Sequence, residues 1–537
     1  MSGNFSAMSS YIKTCLTYSE IFQKKASEME IKSDIRCINL DEALSILSQF
    51  SVLDDVSRKE LKSILKRFVG EQEFIENMEP FDVNNLMYAM KWFIAYGTRN
   101  PQYSFQNDFN VSFNVFMTVL KISDYMVDKI DDYEDVEDAV LKSSLFVRNT
   151  QMDRALLHQH MMFEEIARSA ERFKPQDYIN IHEVFENKYG YTISEYISVI
   201  FSLSASSIKG RKFEEIIQKV DWGIDPELFF ENISIKETAL AIYNDLCIDP
   251  LNLKEWARAT IDNPYDFEPL LITPIFKSQS VSFPSSPGNM NSVIFDGLFF
   301  KIRNCFGAKD ESFFRFYGRI FEIYISDLLK DAVKEAKIKS YKFIDEFSYG
   351  KKQGELSSDA YILLGKSLLV IECKSGRIRT QTKLEADKKT TLEDFQKYVM
   401  KPIQQANKTY SEILKQDPQK FNGANKVFIF SVSNHSFPRL PKYHRRLEDK
   451  KWLEDLHPNV KYIDYLGIND IEVIAYTLKK LDKTIFSFIK TKKNNTDYIP
   501  YPNYFHTKYG EIKRLESHDE KLKEVFQKIK ETLKFKK

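Results

Sequence analysis

Residues Glu355–Gly376 read ELSSDAYILLGKSLLVIECKSG, two apolar runs, Ala360–Leu364 and Ser367–Cys373, divided by Gly365-Lys366. A two-residue connection that opens with glycine suits a type II′ hairpin turn, because glycine adopts positive φ at the first central position. Leu364 then pairs with Ser367, and counting outward sets Asp359 opposite Glu372. Carboxylates facing each other across a ladder have Cβ atoms roughly 5 Å apart and repel. A hard cation between them removes the conflict, since Mg²⁺ takes one or two carboxylates together with waters and phosphate oxygens. Lys374 follows Glu372 by two residues and strand side chains repeat every second residue, so its ammonium shares that face. Cys373 points the other way and reads as core rather than nucleophile.

Asp359, Glu372, Cys373 and Lys374, with twelve residues between the aspartate and the glutamate, resemble the motif of the PD-(D/E)XK nuclease superfamily. Ser358 stands at the proline position of that motif. The element order read around it, α-β-β-β-α-β-β-α over about 311–480, is similar to the superfamily core of a mixed sheet flanked by helices. The resemblance implies an α+β chain with a restriction-endonuclease-like domain behind a mainly helical one. It implies Mg²⁺ as cofactor, with Mn²⁺ as the substitute, held by Asp359, Glu372, the backbone carbonyl of Cys373 and Glu322 of the preceding helix. Lys374 would orient the attacking water, and Gln405 of the following helix, with Gln404 as alternative, would help place it. Arg377, Arg379, Lys383, Lys388 and Lys389 would meet substrate phosphates. The implied activity is phosphodiester hydrolysis by a DNA endonuclease, in bacterial defence against foreign DNA. Cutting both strands of a duplex calls for two sites, and so for a homodimer. The competing reading is a non-catalytic nucleic-acid-binding or interaction protein on a degenerate nuclease core; the intact Asp359, Glu372 and Lys374 speak against it.

Composition narrows the partners less than the local distribution does. The 537 residues exceed one ordinary core, and 77 basic side chains balance 77 acidic ones. Between Lys374 and Lys451, however, 18 Lys/Arg stand against 8 Asp/Glu, a basic band just downstream of the acidic pair. Cys15, Cys37, Cys247, Cys305 and Cys373 form no CxxC, which fits a reducing cytoplasm better than a disulfide framework or a zinc site. No secretory signal and no membrane-length apolar run is read. Gly365-Lys366-Ser367 is the tail of a phosphate-binding loop only in appearance, since Ala360 occupies the required glycine position and a strand follows.

Four segments result. Residues 1–265 read as an irregular helical domain, sensor or dimerisation unit, with helices near 82–97, 111–130, 134–147, 152–172, 192–204 and 235–247. Asp82 and Ser234 suit N-caps. His158 and His160 share no helical face and read as surface histidines, while the acids Asp131, Asp132, Glu134, Asp135, Glu137 and Asp138 read as a solvated helix start. Residues 266–310 read as an extended connection with a flexible Ser280–Asn291 loop. Residues 311–485 form the nuclease-like domain, opened by a Phe313–Ala336 helix whose Phe313, Phe314, Phe316 and Tyr317 read as core. Pro402 threatens a kink in the helix 392–416. Residues 486–537 read as a basic tail with a short terminal helix.

Overall fold

The computed structural model describes residues 15–534 apart from 71–72, 101, 103–107, 127–136, 138–139, 142–150, 207–209, 219–221, 279–280, 351–353, 380–381, 384–386, 436 and 497. The Asp82 carboxylate accepts from the Asn85 N–H at 2.8 Å and opens the helix Val83–Tyr96, as its capping chemistry requires. This helix is almost wholly buried, its Asn84, Asn85 and Lys91 included. With Leu40–Phe50 and Asp108–Ser123 it builds a first core, to which Phe213, Leu253, Phe267 and Phe283 also belong.

A second core starts at α1 (Met152–Gln159) and α2 (Ile193–Ser206) and continues through the sheet domain to Leu533. The core therefore runs across the expected boundaries at 265 and 311. The Ser280–Asn291 stretch shows why. Ser282–Pro284 pairs antiparallel with Ile275–Lys277, and Pro287–Ser292 is a helix capped by the Ser286 hydroxyl on Asn289 N–H. Ser285, Ser286 and Asn289 are buried. The serine and proline that suggested a loop are instead a cap and a first-turn proline. The helical turns continue to Arg303.

Helix α3 (Ser312–Lys334) leads into strands β1 (Lys342–Asp345), β2 (Ala360–Leu364) and β3 (Ser367–Lys374). The β2–β3 register is Leu364 with Ser367 through Ala360 with Ile371, and Gly365 holds φ 59°, as the turn reading demands. Helix α4 (Lys401–Gln416) crosses to β4 (Lys426–Ser433), followed by β5 (Val460–Gly467) and α5 (Ile468–Lys480). The sheet order is β5-β4-β3-β2-β1, parallel across β3-β4-β5 and antiparallel across β3-β2-β1. Leu369, Ile371 and Cys373 of β3 pack toward the second core, while Leu368 and Val370 pack into a third core with Ile403, Ala406 and Tyr410 of α4. Burial on both faces explains the unbroken apolar runs. The chain is thus α+β, with a helical N-terminal region preceding a mixed sheet.

Four further expectations change. The π-helical turn Gln396–Met400 runs straight into α4 with Pro402 at its start, so the proline that lacks an N–H lies where the turn is already widened. Ser234 caps nothing; its hydroxyl donates to Leu533 O at 3.2 Å, and the helix Lys236–Leu246 starts from Ile235 without a side-chain cap. The tail is structural: α6 (Tyr501–Tyr509) and α7 (Glu516–Leu533) contribute Tyr501, Phe505, Leu522, Val525 and Ile529 to the second core. Of the acidic stretch, Asp131, Asp132, Glu134, Asp135 and Asp138 lie outside the described residues, as does most of 134–147. Glu137 is buried rather than solvated, and accepts from the Lys442 N–H at 3.0 Å. Among the described residues no helix is long and apolar enough to cross a membrane.

Candidate active site

Strand alternation places Glu372 and Lys374 on the α4 side of β3. Glu372 is buried, and its Oε1 accepts from Lys374 Nζ at 3.0 Å. Lys374 Nζ also reaches Gln405 Oε1 at 3.4 Å, which selects Gln405 over Gln404 as the α4 residue nearest the lysine. β2 pairing ends at Ala360, one residue short of Asp359. Its Oδ2 accepts the Cys373 N–H at 2.6 Å, so the aspartate is pinned to the strand that carries the glutamate. The Cys373 thiol is buried on the opposite face.

Glu322 reaches the site from α3, where Arg319 Nη1 donates to it at 3.0 Å. The same nitrogen donates at 3.0 Å to Glu346, the residue after β1. Asp345 pairs with Ala360, so the register carries Glu346 to the position beside Asp359. Neither Arg319 nor Glu346 was read from the sequence. Arg319 was legible as the partner one helical turn before Glu322. Glu346 was not, because no tight turn links β1 to β2 and fixes that register.

Charge is crowded here. Burial, then Glu372 and Glu322, hold the Asp359 carboxyl well above its ordinary range. Burial also raises Glu372, although Lys374 draws it back. Burial raises Glu322 against the pull of Arg319, with Glu346 adding to the rise. Burial alone would lower Lys374, but Glu372 and Asp359 leave it raised, so it stays a cation. Three mutually repelling carboxyls bring hard oxygen donors to one place, the donor type that divalent cations such as Mg²⁺ take.

The expected phosphate contacts separate. The Arg377 side chain is 8% exposed, paired with Asp296 and lying 4.0 Å over the Phe299 ring. It ties the loop after β3 to the Val293–Arg303 helical turns, which removes it from a surface that meets a polyanion. Arg379 is bound to Asp394, Glu393 and Thr390 O. Lys383 is half-buried; Lys388 and Lys389 are exposed in the first turn of the helix Lys388–Phe395.

Gly376 marks a close approach. A Cβ there would lie 2.2 Å from Tyr398 Cε1. Tyr398 cannot easily yield, since its hydroxyl donates to Arg377 O at 3.0 Å and its carbonyl accepts from Ser431 Oγ at 2.7 Å. Gly376→Ala is expected to cost about 1–3 kcal/mol through overpacking, read as a lowered thermal midpoint. An unchanged midpoint would show that the loop shifts freely.

His158 and His160 are both buried, not surface groups. His158 Nε2 lies 2.6 Å from Glu472, which also accepts from Tyr324 Oη at 2.9 Å. His160, Glu165 and Glu524 bring ligand atoms within 4.8 Å of one another. Lys521 already bridges the two glutamates there, as the local cation.

No family model, no curated protein and no solved structure matches this chain.

Proposed function

We propose that this protein is a metal-dependent nuclease of the PD-(D/E)XK kind, hydrolysing phosphodiester bonds in DNA. The observation that carries the reading is the meeting of Asp359, Glu372 and Glu322 around Lys374, with Gln405 behind the lysine. A surface hairpin with incidental charges has no use for carboxyls set close enough to raise one another.

Asp359 and Glu372 would hold Mg²⁺, with Glu322 alongside. When bound, the ion supplies positive charge to the phosphate oxygens and lowers the pKa of a coordinated water. Lys374 remains protonated beside the acids and stabilises negative charge growing on the phosphate. Gln405 accepts from the lysine and so restrains the direction of its remaining N–H groups. The Cys373 N–H fixes the Asp359 carboxylate in advance of binding, which lowers the reorganisation needed at the moment of reaction. A place in cytoplasmic defence against foreign DNA, as a dimer for two-strand cuts, rests on the superfamily resemblance.

The direct test is supercoiled plasmid with Mg²⁺, Mn²⁺ or EDTA. Nicking or linearisation with either metal, abolished by EDTA, is expected. No cleavage, together with salt-sensitive DNA binding indifferent to Asp359→Ala, would leave a binding protein on a nuclease core.

A further inference from the structure

Helix α1 does not stop at Gln159 but runs on into π-helical turns, His160–Ile166, with Ala167 N–H donating to Met162 O at 3.0 Å. In an α-helix five residues turn through about 500°, which leaves side chains five apart about 140° from each other. The i→i+5 bonding of the π-turns narrows that angle, and His160 and Glu165 reach each other across it. Such turns are rare and gather at functional sites. Helix α7 packs against α1 and α2 and brings Glu524 to the same place.

His160 is the group that packing alone does not explain. It is 8% exposed, and its Nε2 makes no hydrogen bond. That nitrogen nevertheless lies 3.3 Å from Glu165 Oε1 and 3.7 Å from Glu524 Oε2, and the three ligand atoms lie within 4.8 Å of one another. A buried nitrogen aimed at two carboxylates and bonded to neither calls for a partner between them. A tetrahedral ion with bonds of about 2.0–2.2 Å sets neighbouring ligand atoms about 3.3–3.6 Å apart. The two nitrogen–oxygen distances are close to that spacing.

The donors choose the ion. Imidazole with carboxylates suits Zn²⁺, whereas Mg²⁺ and Ca²⁺ take oxygen ligands. Glu524 is 57% exposed and opens the cluster to solvent. The cations nearby are divided among the acids. Lys528 and Arg168 hold Glu164, which keeps it out of the cluster. Lys521 reaches Glu165 and, at 3.4 Å, Glu524, yet leaves His160 Nε2 unbonded. It is a partly exposed ammonium on a flexible stem, able to turn into water when a metal takes the same oxygens. The lysine is therefore the competitor of the ion.

We propose that His160, Glu165 and Glu524 form a Zn²⁺ site, with water in the fourth position, that staples α7 to the π-helical end of α1. The site shares no residue with the carboxylates of β2, β3 and α3, and it does not rest on the nuclease reading.

The test is calorimetric titration with ZnCl₂ of the full chain carrying Asp359→Ala, stripped of metal and held in excess Mg²⁺, so that oxygen-donor sites contribute little. One Zn²⁺ per chain is expected. Adding His160→Ala should weaken binding by about 10–100-fold or more, since even a change outside the ligand set costs that much. Glu524→Gln should weaken it on the same scale and, because Glu524 is exposed, leave the thermal midpoint of the metal-free protein in place. Lys521→Gln should bind Zn²⁺ more tightly than its parent, with a larger rise of the midpoint on adding ZnCl₂. A cluster of ion pairs without a metal predicts otherwise: Lys521→Gln would lose stability that ZnCl₂ does not return. Absence of Zn²⁺ binding, binding untouched by His160→Ala and Glu524→Gln, or a Lys521→Gln protein that binds no more tightly than its parent would overturn the site.

Discussion

Asp359→Ala is expected to abolish plasmid cleavage, a loss of about 10³-fold or more, since charge stabilisation at the phosphate accounts for several kcal/mol and each 1.36 kcal/mol is a factor of ten. Lys374→Ala should cost about 10²–10³-fold, the usual scale for removing one oriented stabiliser of transition-state charge. The two losses should differ in their metal dependence. If Asp359 is a metal ligand as proposed, its loss leaves excess Mg²⁺ or Mn²⁺ able to restore little, whereas Lys374→Ala leaves Asp359, Glu372 and Glu322 in place and metal binding should persist. A Lys374→Ala enzyme with wild-type turnover would remove the lysine from the chemistry.

The same site predicts a stability change of opposite sign. Carboxyls whose folded pKa is raised stabilise the fold below their unfolded values, about 4. That contribution is lost as pH rises through the folded values. Asp359, Glu372 and Glu322 all shift upward, so at neutral pH and without metal they work against the fold. Asp359→Ala should therefore raise the thermal midpoint in EDTA at pH 8 while destroying activity, the usual exchange between stability and a strained site. Added Mg²⁺ should raise the wild-type midpoint more at pH 8 than at pH 5, and should scarcely move the variant.

The hairpin was legible because its register is set locally: a glycine-led turn of two residues leaves one pairing, Leu364 with Ser367 through Ala360 with Ile371, although the ladder stops one residue short of the Asp359–Glu372 pair that counting expects and Asp359 is held by the Cys373 N–H instead. Gln405 followed less directly, since helical phase had to be carried across a loop and a π-helical turn that shifts it. What was not legible depends on contacts between distant segments. Arg377 reads as a phosphate ligand until Asp296 is folded against it, 81 residues away in the chain. Phe314 reads as core because its neighbours Phe313 and Phe316 are, and only the packed helix shows which ring is left outside. The serines near 285 looked like linker because short polar residues serve loops and helix caps equally well. The tail looked like an appendage because lysines dominate its composition, while the leucine, valine and isoleucine that anchor it recur at helical spacing.

That anchoring sets up the largest stability effect expected of a single change outside the site. Asp464 of β5 is 1% exposed; its Oδ1 pairs with Arg439 Nη1 at 3.0 Å, while its Oδ2 accepts from Tyr462 Oη at 2.9 Å and Tyr501 Oη at 3.1 Å. Arg439 in turn donates to Tyr465 O at 2.6 Å. Burial pushes the Asp464 carboxyl up, but Arg439 and Lys492 overcome it and bring it to about 2. The network clasps α6 to the edge of the sheet. Asp464→Ala leaves Arg439 buried without its counter-ion and is expected to cost about 3–5 kcal/mol, a fall of about 10 °C in the melting of this core. Since the carboxylate is held below its unfolded value of about 3.9, its contribution is present above that pH and fades as pH drops through about 2. Replacing both partners, as Asp464→Leu with Arg439→Met, should recover most of the loss, because an apolar pair carries no desolvation cost. A double variant as unstable as Asp464→Ala alone would show that the hydroxyls of Tyr462 and Tyr501, left without their acceptor, hold the tail rather than the ion pair.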